Sequence, residues 1–431
     1  MNVVIIGNHA AGLSAAETLR RGDKSCKITV ISNEDVPPYS RCMIPYLVAG
    51  EKSVKDILFK SESFYKDSAV DALLGVEVIR VLTKEKEVLL SDGRRVGYDA
   101  LIIAAGGTPS MLNIPGEKNQ GVFVFRTLAD AERIIAHCEG TDVAIVLGGG
   151  LVGLKAAVAL HERGKKVKVV VGSPYVLSQI VADNEGAIFQ DHLSEMGIEV
   201  VTRTNPGKIL GDGKVEGVET TEGKKIPCRL VIVGKGVHAN KDLVKGTEIK
   251  TQYGIIVDEH CRTNVPGVYA AGDVTQSPDT VRKQTWTNAL WPHAVEEGRV
   301  AAENALGKDT VLGGRTSMNS FVLGGLGIIT CGLTGAREKV EGAEEILVKG
   351  PGKTDSRRLV IKDGRLVGFA LVGKVANAGV LASLVRKEVR VDPVKDRLVA
   401  GEFDFASLFP VIRGNPDKFK EPEYQEVFSF F

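Results

Sequence analysis

Gly148, Gly150 and Gly153 follow directly on an unbroken apolar run, Val143 to Leu147, and lead into a helical pattern through Leu151, Ala156, Ala157, Ala159 and Leu160. Gly164 closes that pattern, and Val167 to Val171 supplies a second β-branched run. Strand, loop, helix and strand thus occur in the order and spacing of a dinucleotide-binding unit. Each glycine has a physical reason. The first takes a tight turn, the second lets backbone N–H groups approach a pyrophosphate, and the third lets helix and strand pack closely. The helix N-terminus then faces the anion. Chains of this kind normally open on such a loop, yet here it lies about a third of the way along 431 residues. Other structure must surround it.

The opening segment repeats the unit in weaker form. Val3 to Ile6 reads as a strand, Gly7 to Gly12 as the loop, Leu13 to Arg21 as an amphipathic helix and Ile28 to Ile31 as the next strand. His9 stands where the second glycine belongs, so an imidazole must crowd a pyrophosphate or shift it outward. Alone, this loop is as consistent with a tight turn as with a nucleotide site. Glu34 is the candidate for a ribose hydroxyl, although Ser32 is nearer the usual place.

The length implies about three domains. Glycine, 49 of 431 residues, runs above its usual share of about 7%, as many βα turns require. A net charge of +1, from 55 basic and 54 acidic residues, provides no global field to recruit nucleic acid or an anionic membrane. A strand begins immediately after Met1 and no apolar run approaches the roughly 18 residues of a span, so no leader or membrane insertion is expected and the localisation expected is cytoplasmic. Six cysteines without a Cys-x-x-Cys pair argue against a disulfide framework, a zinc site or an iron–sulfur site on this chain.

Further along, Val36 to Tyr46 holds three prolines with Arg41 and Cys42, and reads as a loop or helix entry. Val76 to Val81 and Glu87 to Leu90 read as strands around a Ser91-Asp92-Gly93 turn, and Tyr98 to Ala105 as a buried strand ending in Gly106-Gly107-Thr108-Pro109. Leu230 to Val233 ends similarly in Gly234-Lys235-Gly236. Val265 to Asp273 reads as a strand delivering a carboxylate to the start of a helix that carries Trp286, Trp291 and His293. From Val311 the composition suggests an antiparallel sheet with a turn at Asp363-Gly364, then a helix over Ala378 to Arg386. The stretch after Pro410 is expected to wrap a surface rather than form a core.

Five pieces now stand in order: the early glycine loop, AAGGTP at 104–109, the second glycine loop, GKG at 234–236 and GVYAAGD at 267–273. With them the chain resembles the pyridine nucleotide–disulfide oxidoreductases, the two-dinucleotide flavoproteins. PPYSRCMIPYLVAG and GLVGLKAA are similar to the branch of rubredoxin reductases, NADH-dependent nitrite reductase flavoproteins, NADH oxidases and persulfide or coenzyme A disulfide reductases. The specific motifs cover residues 1 to about 310.

The resemblance implies an α/β fold of two Rossmann-like dinucleotide-binding domains, the NAD(P) domain inserted in the FAD domain, plus a small C-terminal α+β domain. The implied boundaries are 1–115 with 241–310 for FAD, 116–240 for NAD(P)H, and 311–431 for a C-terminal interface domain with an extended tail. It implies FAD beside Gly7, Ala11, Gly12, Glu34, Arg41, Thr108 and Asp273, and NAD(H) at Gly148, Gly150 and Gly153. Lys155 replaces a frequent Glu on the nicotinamide side. Gly172 occupies the place of the acid that selects NADH, while Lys165, Lys166 and Lys168 nearby suit a 2′-phosphate or a solvated helix end. NADH is favoured on family habit, with NADP(H) left open.

Cys42 is either the single redox thiol of the oxidase and persulfide branch or a small apolar residue packed near the flavin. Met43, where those relatives carry Gly, favours the second. His293 is a candidate proton donor and the two Trp candidates for shielding the flavin. Three functions follow from the resemblance: an NAD(P)H:acceptor oxidoreductase serving an iron–sulfur or rubredoxin-type partner, as in the flavoprotein subunit of a 2-oxoacid oxidoreductase; a stand-alone disulfide, persulfide or oxygen reductase using Cys42; or a flavin-binding structural subunit. A homodimer is compatible with each.

Overall fold

The computed structural model describes residues 1–335, 340–404 and 406–420. Two parallel sheets carry most of the chain, each grown from one apolar run. In the first, strands Val268–Ala270, Ala100–Ile103, Asn2–Ile6, Lys27–Ile31 and Asp71–Leu73 lie side by side in that order. In the second the order is Glu199–Val201, Lys166–Val170, Val143–Leu147, Leu230–Val233 and Val122–Phe123. Val3 pairs with Ile28 and Ala100, and Ala144 with Val167 and Leu230. Continuous apolar strands are what a sheet covered on both faces requires. Val3 to Ile5 and Ala144 to Leu147 are accordingly fully buried.

Helices Ala10–Gly22 and Leu151–Glu162 make the first crossover of each sheet. A three-stranded antiparallel sheet interrupts each half at the same place. Strands Val78–Leu82, Glu87–Leu90 and Arg95–Gly97 precede Ala100–Ile103, while Pro206–Leu210, Gly217–Thr220 and Lys225–Pro227 precede Leu230–Val233. One plan is used twice. The chain passes between the halves at 104–109 and 234–240, and these crossings pair with each other, Gly107–Pro109 running antiparallel to Val237–Ala239.

The C-terminal part is a five-stranded antiparallel sheet in the order Met318–Leu323, Leu326–Gly332, Arg365–Val372, Ser356–Lys362, Glu344–Lys349. Asp363 and Gly364 turn its central hairpin with φ of 51° and 71°, the left-handed pair that matches strand twist. Helix Ala378–Lys387 covers the sheet through Leu381, Ala382, Leu384 and Val385.

Two expectations are corrected. No helix starts at Asp273. Strand Thr275–Asp279 follows it, forms a hairpin with Gln284–Trp286, and helix Trp291–Ala305 begins only after that. Pro278 lacks the donor a helix needs. The Asp279 carboxylate then ties the turn by accepting from the N–H groups of Val281 and Arg282, at 3.0 and 2.9 Å. Trp286 therefore lies on a strand. The stretch after Pro410 also forms core rather than a surface wrap as far as residue 420. Helix Phe409–Arg413 turns Val411 and Ile412 inward, and Phe419 joins them beneath the sheet. Residues 421–431 of the expected tail lie outside the described residues.

The C-terminal sheet is tied to the second half through a buried charge. Glu185, in helix Asp183–Glu195, is wholly enclosed and accepts from Ser356 Oγ at 2.9 Å and Arg358 Nε at 3.1 Å. Arg358 Nη1 also reaches Glu345 at 3.2 Å. Removing one partner of such a pair strands the other in a dry site. Arg358→Met is expected to lower stability by about 3–5 kcal/mol, and Arg358→Met with Glu185→Met distinctly less. Urea midpoints of the two variants check this; equal losses would contradict it.

Candidate functional site

The central loop shows what each glycine does. Gly148 has φ of 135°, and a Cβ there would lie 2.1 Å from the Gly234 carbonyl oxygen. A Cβ on Gly153 would lie 2.3 Å from the Gly148 oxygen. Both are required by the close meeting of strand, helix and crossing. Gly150 differs. It caps the helix with an extended backbone, φ −79°, and a Cβ there meets nothing within 4 Å. No side chain caps the N–H groups of the first turn. That is the cradle an anionic pyrophosphate fits.

The first loop repeats this frame. A Cβ on Gly7 would lie 2.1 Å from the Ala104 oxygen, and one on Gly12 2.0 Å from the Gly7 oxygen. Ala11 packs with Ala10, Ala271 and Ala294 under the loop. His9 takes the helix-capping position that Gly150 holds in the other half. Its ring is tied back toward the end of the second strand, with Nδ1 3.3 Å from the Tyr39 carbonyl and Nε2 3.2 Å from Glu34 Oε1. Both neighbours are acceptors, and a neutral imidazole carries one N–H, so it satisfies one at a time. Burial pushes His9 toward that neutral form.

Glu34 is the hub of this end. Arg41 Nη2 donates to its Oε1 and Tyr39 Oη to its Oε2, the latter at 2.6 Å. The Glu34 N–H donates to Ser32 Oγ. Burial by itself would raise the carboxyl, but the His9 bond, the Arg41 charge and the Tyr39 bond outweigh it and hold Glu34 at about 2. Tyr39 Oη in turn accepts the Leu128 N–H at 2.9 Å. The first half is thereby stitched to helix Leu128–Cys138 of the second.

Asp273 sits just past the end of strand Val268–Ala270, and Arg126 Nη2 donates to its Oδ2 at 2.9 Å. Arg126 arrives from beside the second sheet, so this pair spans the halves. Its Nε is buried without a hydrogen-bond partner among the described residues. The one hint in sequence is its place before a capping box, Thr127 with Asp130. Cys42 lies on the turn Arg41–Met43, open to solvent on one side. The protein around it and the Asp273 carboxylate push its thiol up, against smaller opposing effects from Ser40 and Arg126.

Other candidates fall into place less directly. Thr108 lies on the paired crossing, its Oγ1 donating to Asn240 Oδ1 at 2.8 Å, away from the Glu34 cluster. Trp291 meets Phe59 edge to face at 5.0 Å, whereas Trp286 lies under Arg282. Burial pushes His293 down to about 4, with Arg315 adding to the effect. It is neutral at pH 7 and holds no imidazolium proton to donate. Lys155 donates to the Val322 carbonyl at 2.5 Å, tying the central helix to the C-terminal sheet. Lys168 pairs with Glu199 at 2.8 Å. The space at Gly172 is filled by Asn205, whose Oδ1 lies 2.3 Å from where a Cβ would stand. Nothing in the sequence singles out Asn205.

Two glycine cradles on duplicate parallel sheets, with an acid–arginine pair between them, define a two-dinucleotide oxidoreductase. The family model described as pyridine nucleotide-disulphide oxidoreductase matches residues 1–298, and the chain belongs to that family. It is an FAD-dependent NAD(P)H oxidoreductase. An NADH oxidase of Methanocaldococcus jannaschii is 32% identical over 395 residues, 86% of this chain and 88% of its own length. The NADH-dependent phenylglyoxylate dehydrogenase subunit epsilon of Aromatoleum evansii is 28% identical over 411 residues, 92% and 94% of the two chains. Among solved structures, an NAD-dependent persulfide reductase from A. fulgidus superposes with a TM-score of 0.84 at 28% identity, covering 92% of this chain and 79% of that one. Three longer relatives match over less than half of their own length. Among the described residues no helix is long and apolar enough to cross a membrane.

Because the folded Glu34 carboxyl lies below its ordinary 4.5, its contribution is complete above that value and is lost as pH falls toward about 2. Partial exposure and solvent screening keep it modest. Glu34→Gln is therefore expected to be less stable than the parent at pH 7, with the gap closing between about pH 4.5 and 2. Denaturation at a series of pH values checks it; a gap independent of pH would remove the charge argument.

Proposed function

We propose that this chain carries electrons between NADH and an iron–sulfur or rubredoxin-type protein, as the flavoprotein member of an assembly such as a 2-oxoacid oxidoreductase. The observation that carries the choice of acceptor is the setting of Cys42. It stands on the turn Arg41–Met43 as the exposed cysteine, the other five being buried, and burial with the Asp273 charge pushes its thiol up. A thiolate is the nucleophile in disulfide and persulfide chemistry, so a thiol pushed up is poorly suited to it. The Aromatoleum relative, named as a subunit of a dehydrogenase for a 2-oxo acid, matches over nearly the whole of both chains and supports the same reading.

In this reading Gly7, Ala11, Gly12, Glu34, Arg41 and the Arg126–Asp273 pair hold FAD, and Gly148, Gly150 and Gly153 hold the nicotinamide nucleotide. FAD when bound accepts a hydride from the nicotinamide and releases electrons one or two at a time. The protein's part is geometric. The glycine cradle and helix N-terminus at Gly150 bind the nucleotide's pyrophosphate and align it. Glu34 offers its remaining acceptor direction to a ribose hydroxyl, and Arg41 supplies positive charge beside a pyrophosphate. Arg126 neutralises Asp273, which keeps that carboxylate fixed for a polyol hydroxyl. Hydride transfer needs contact and alignment rather than an acid, which agrees with a neutral His293. NADH is preferred to NADPH: Asn205 fills the space at Gly172, and Lys168 is already paired.

A second reading, a stand-alone persulfide or disulfide reductase, is favoured by the exposure of Cys42 and by the A. fulgidus likeness. One substitution tests the nucleotide site that both readings share, and a second separates them. Gly150→Val adds no backbone strain, since its φ is ordinary, but fills the open cradle. It is expected to retain FAD while slowing anaerobic bleaching by NADH about 100-fold, on the order of 2.7 kcal/mol. Unchanged bleaching would remove the nucleotide site from this loop.

Cys42→Ser is expected to keep NADH:viologen and NADH:rubredoxin turnover within about twofold. Loss of turnover with the natural acceptor while NADH still bleaches the flavin would replace the proposal with the thiol reading.

A further inference from the structure

Gly272 precedes Asp273 in a left-handed turn with φ of 81°, wedged so closely that a Cβ would meet Ala11 Cβ at 3.1 Å. Its N–H does not return to the strand. It donates to Glu297 Oε2 at 2.6 Å, and Thr275 Oγ1 lies 3.2 Å from the same oxygen. Glu297 projects from helix Trp291–Ala305 and is 2% exposed. A carboxylate in so dry a place needs a counter-charge. Arg315, 3% exposed, supplies it, with Nη1 donating to Glu297 Oε1 at 2.8 Å. Arg315 is itself anchored through its backbone: its N–H donates to Thr280 Oγ1 at 2.7 Å, and its carbonyl accepts the Thr280 N–H at 2.6 Å.

We infer that Arg315 is a positioning residue for the flavin site, fixing Glu297 so that its second oxygen holds the Gly272–Asp273 turn. The inference rests on the reading that Asp273 faces FAD. It draws into that site a residue beyond the 1–298 stretch that carries the family match. The ion pair makes the turn depend on the segment leading into the C-terminal sheet, which Arg126 alone does not.

Other charges stand near: the buried Asp279, paired with Arg282, acts together with Arg315 and Arg386 on His293, and Asp258 acts together with Glu297 on Cys261. Burial first, and then the Glu297 charge, push the Cys261 thiol well up. His293 is neutral. Glu296, partly exposed, comes no nearer than 3.8 Å to Arg315 Nε. Among the described residues Arg315 Nε and Nη2 have no hydrogen-bond partner, so the guanidinium acts through one hydrogen bond and its charge rather than as a fork. Lysine should therefore serve nearly as well, and a neutral residue should not.

The test is FAD titration of the full-length apoprotein, with NADH binding measured in parallel. Arg315→Met strands the enclosed Glu297 carboxyl without its counter-charge, so FAD affinity is expected to fall at least about tenfold while NADH binding is unchanged. Arg315→Lys should bind FAD within about threefold of the parent, and Arg315→Met with Glu297→Gln should recover affinity. Parent-like binding by Arg315→Met would overturn the inference. So would an equal loss shared by Arg315→Lys and the double variant, which marks a packing role only. Asp273→Ala separates the two levels: if it keeps full FAD affinity, the flavin reading of this turn fails, whatever Arg315 does.

Discussion

The close meeting of backbone with backbone at two glycine turns holds the rest of the structure in place. At Gly7 the neighbour is the Ala104 carbonyl and at Gly148 it is the Gly234 carbonyl, each 2.1 Å from where a side chain would begin. In both halves the loop that receives a nucleotide is therefore pressed against the strand end from which the chain leaves for the other half. Site and crossing are one contact. The crossings then pair as Gly107–Pro109 with Val237–Ala239, which fixes the two loops relative to a shared ribbon. An alanine at either glycine would have to break the strand–helix unit and displace the crossing together.

Because the plan is used twice, its differences are informative. The capping position faces open space in the second half and holds a tied-back imidazole in the first. Charge follows the same division. The Glu34 cluster, the Arg126–Asp273 pair and the Glu297–Arg315 pair all gather around the first loop, while the second presents bare backbone. A ligand bound for the lifetime of the protein suits many fixed polar contacts, each costly to desolvate but already arranged. A substrate that must leave on every turnover suits a cradle of N–H groups and little else.

What the sequence disclosed follows from how far each signal reaches. Val143 to Leu147 and Leu230 to Val233 are strands residue for residue, because a buried parallel strand needs nothing but an apolar run of that length. The second glycine loop was equally plain, since its spacing is local chemistry, whereas the first, with His9 in the second glycine's place, was as consistent with a tight turn. The hairpin after Asp273 was not, because strand-like Thr275 to Ser277 with Pro278 is outweighed on paper by the helical pattern starting near Trp291. The C-terminal stretch looked polar through its Lys, Glu and Pro, while the residues that bury, Val411, Ile412 and Phe419, are few and spaced for a helical turn. Asn205, Glu297 and Arg315, and Arg126 but for the capping box after it, were silent for a different reason. Each acquires its meaning from a partner far away in the chain, and no periodicity records such a meeting.

His9 shows how a local departure from a motif is absorbed by distant residues. On sequence grounds an imidazole in place of the second glycine obstructs the pyrophosphate. In the fold its ring leans toward Glu34 and the Tyr39 carbonyl, and the extended backbone at the cap, φ −126° and ψ −156°, accepts a side chain without strain. The consequence moves to Glu34. A carboxylate offers about four acceptor directions; Arg41 and Tyr39 occupy two of them and the His9 ring stands against a third. One remains for a ligand, where an acid free of such neighbours would hold two vicinal hydroxyls. The substitution thus leaves the turn intact and reduces what the acid beyond the second strand can offer, while Arg41, held by that same acid, stays fixed beside the loop.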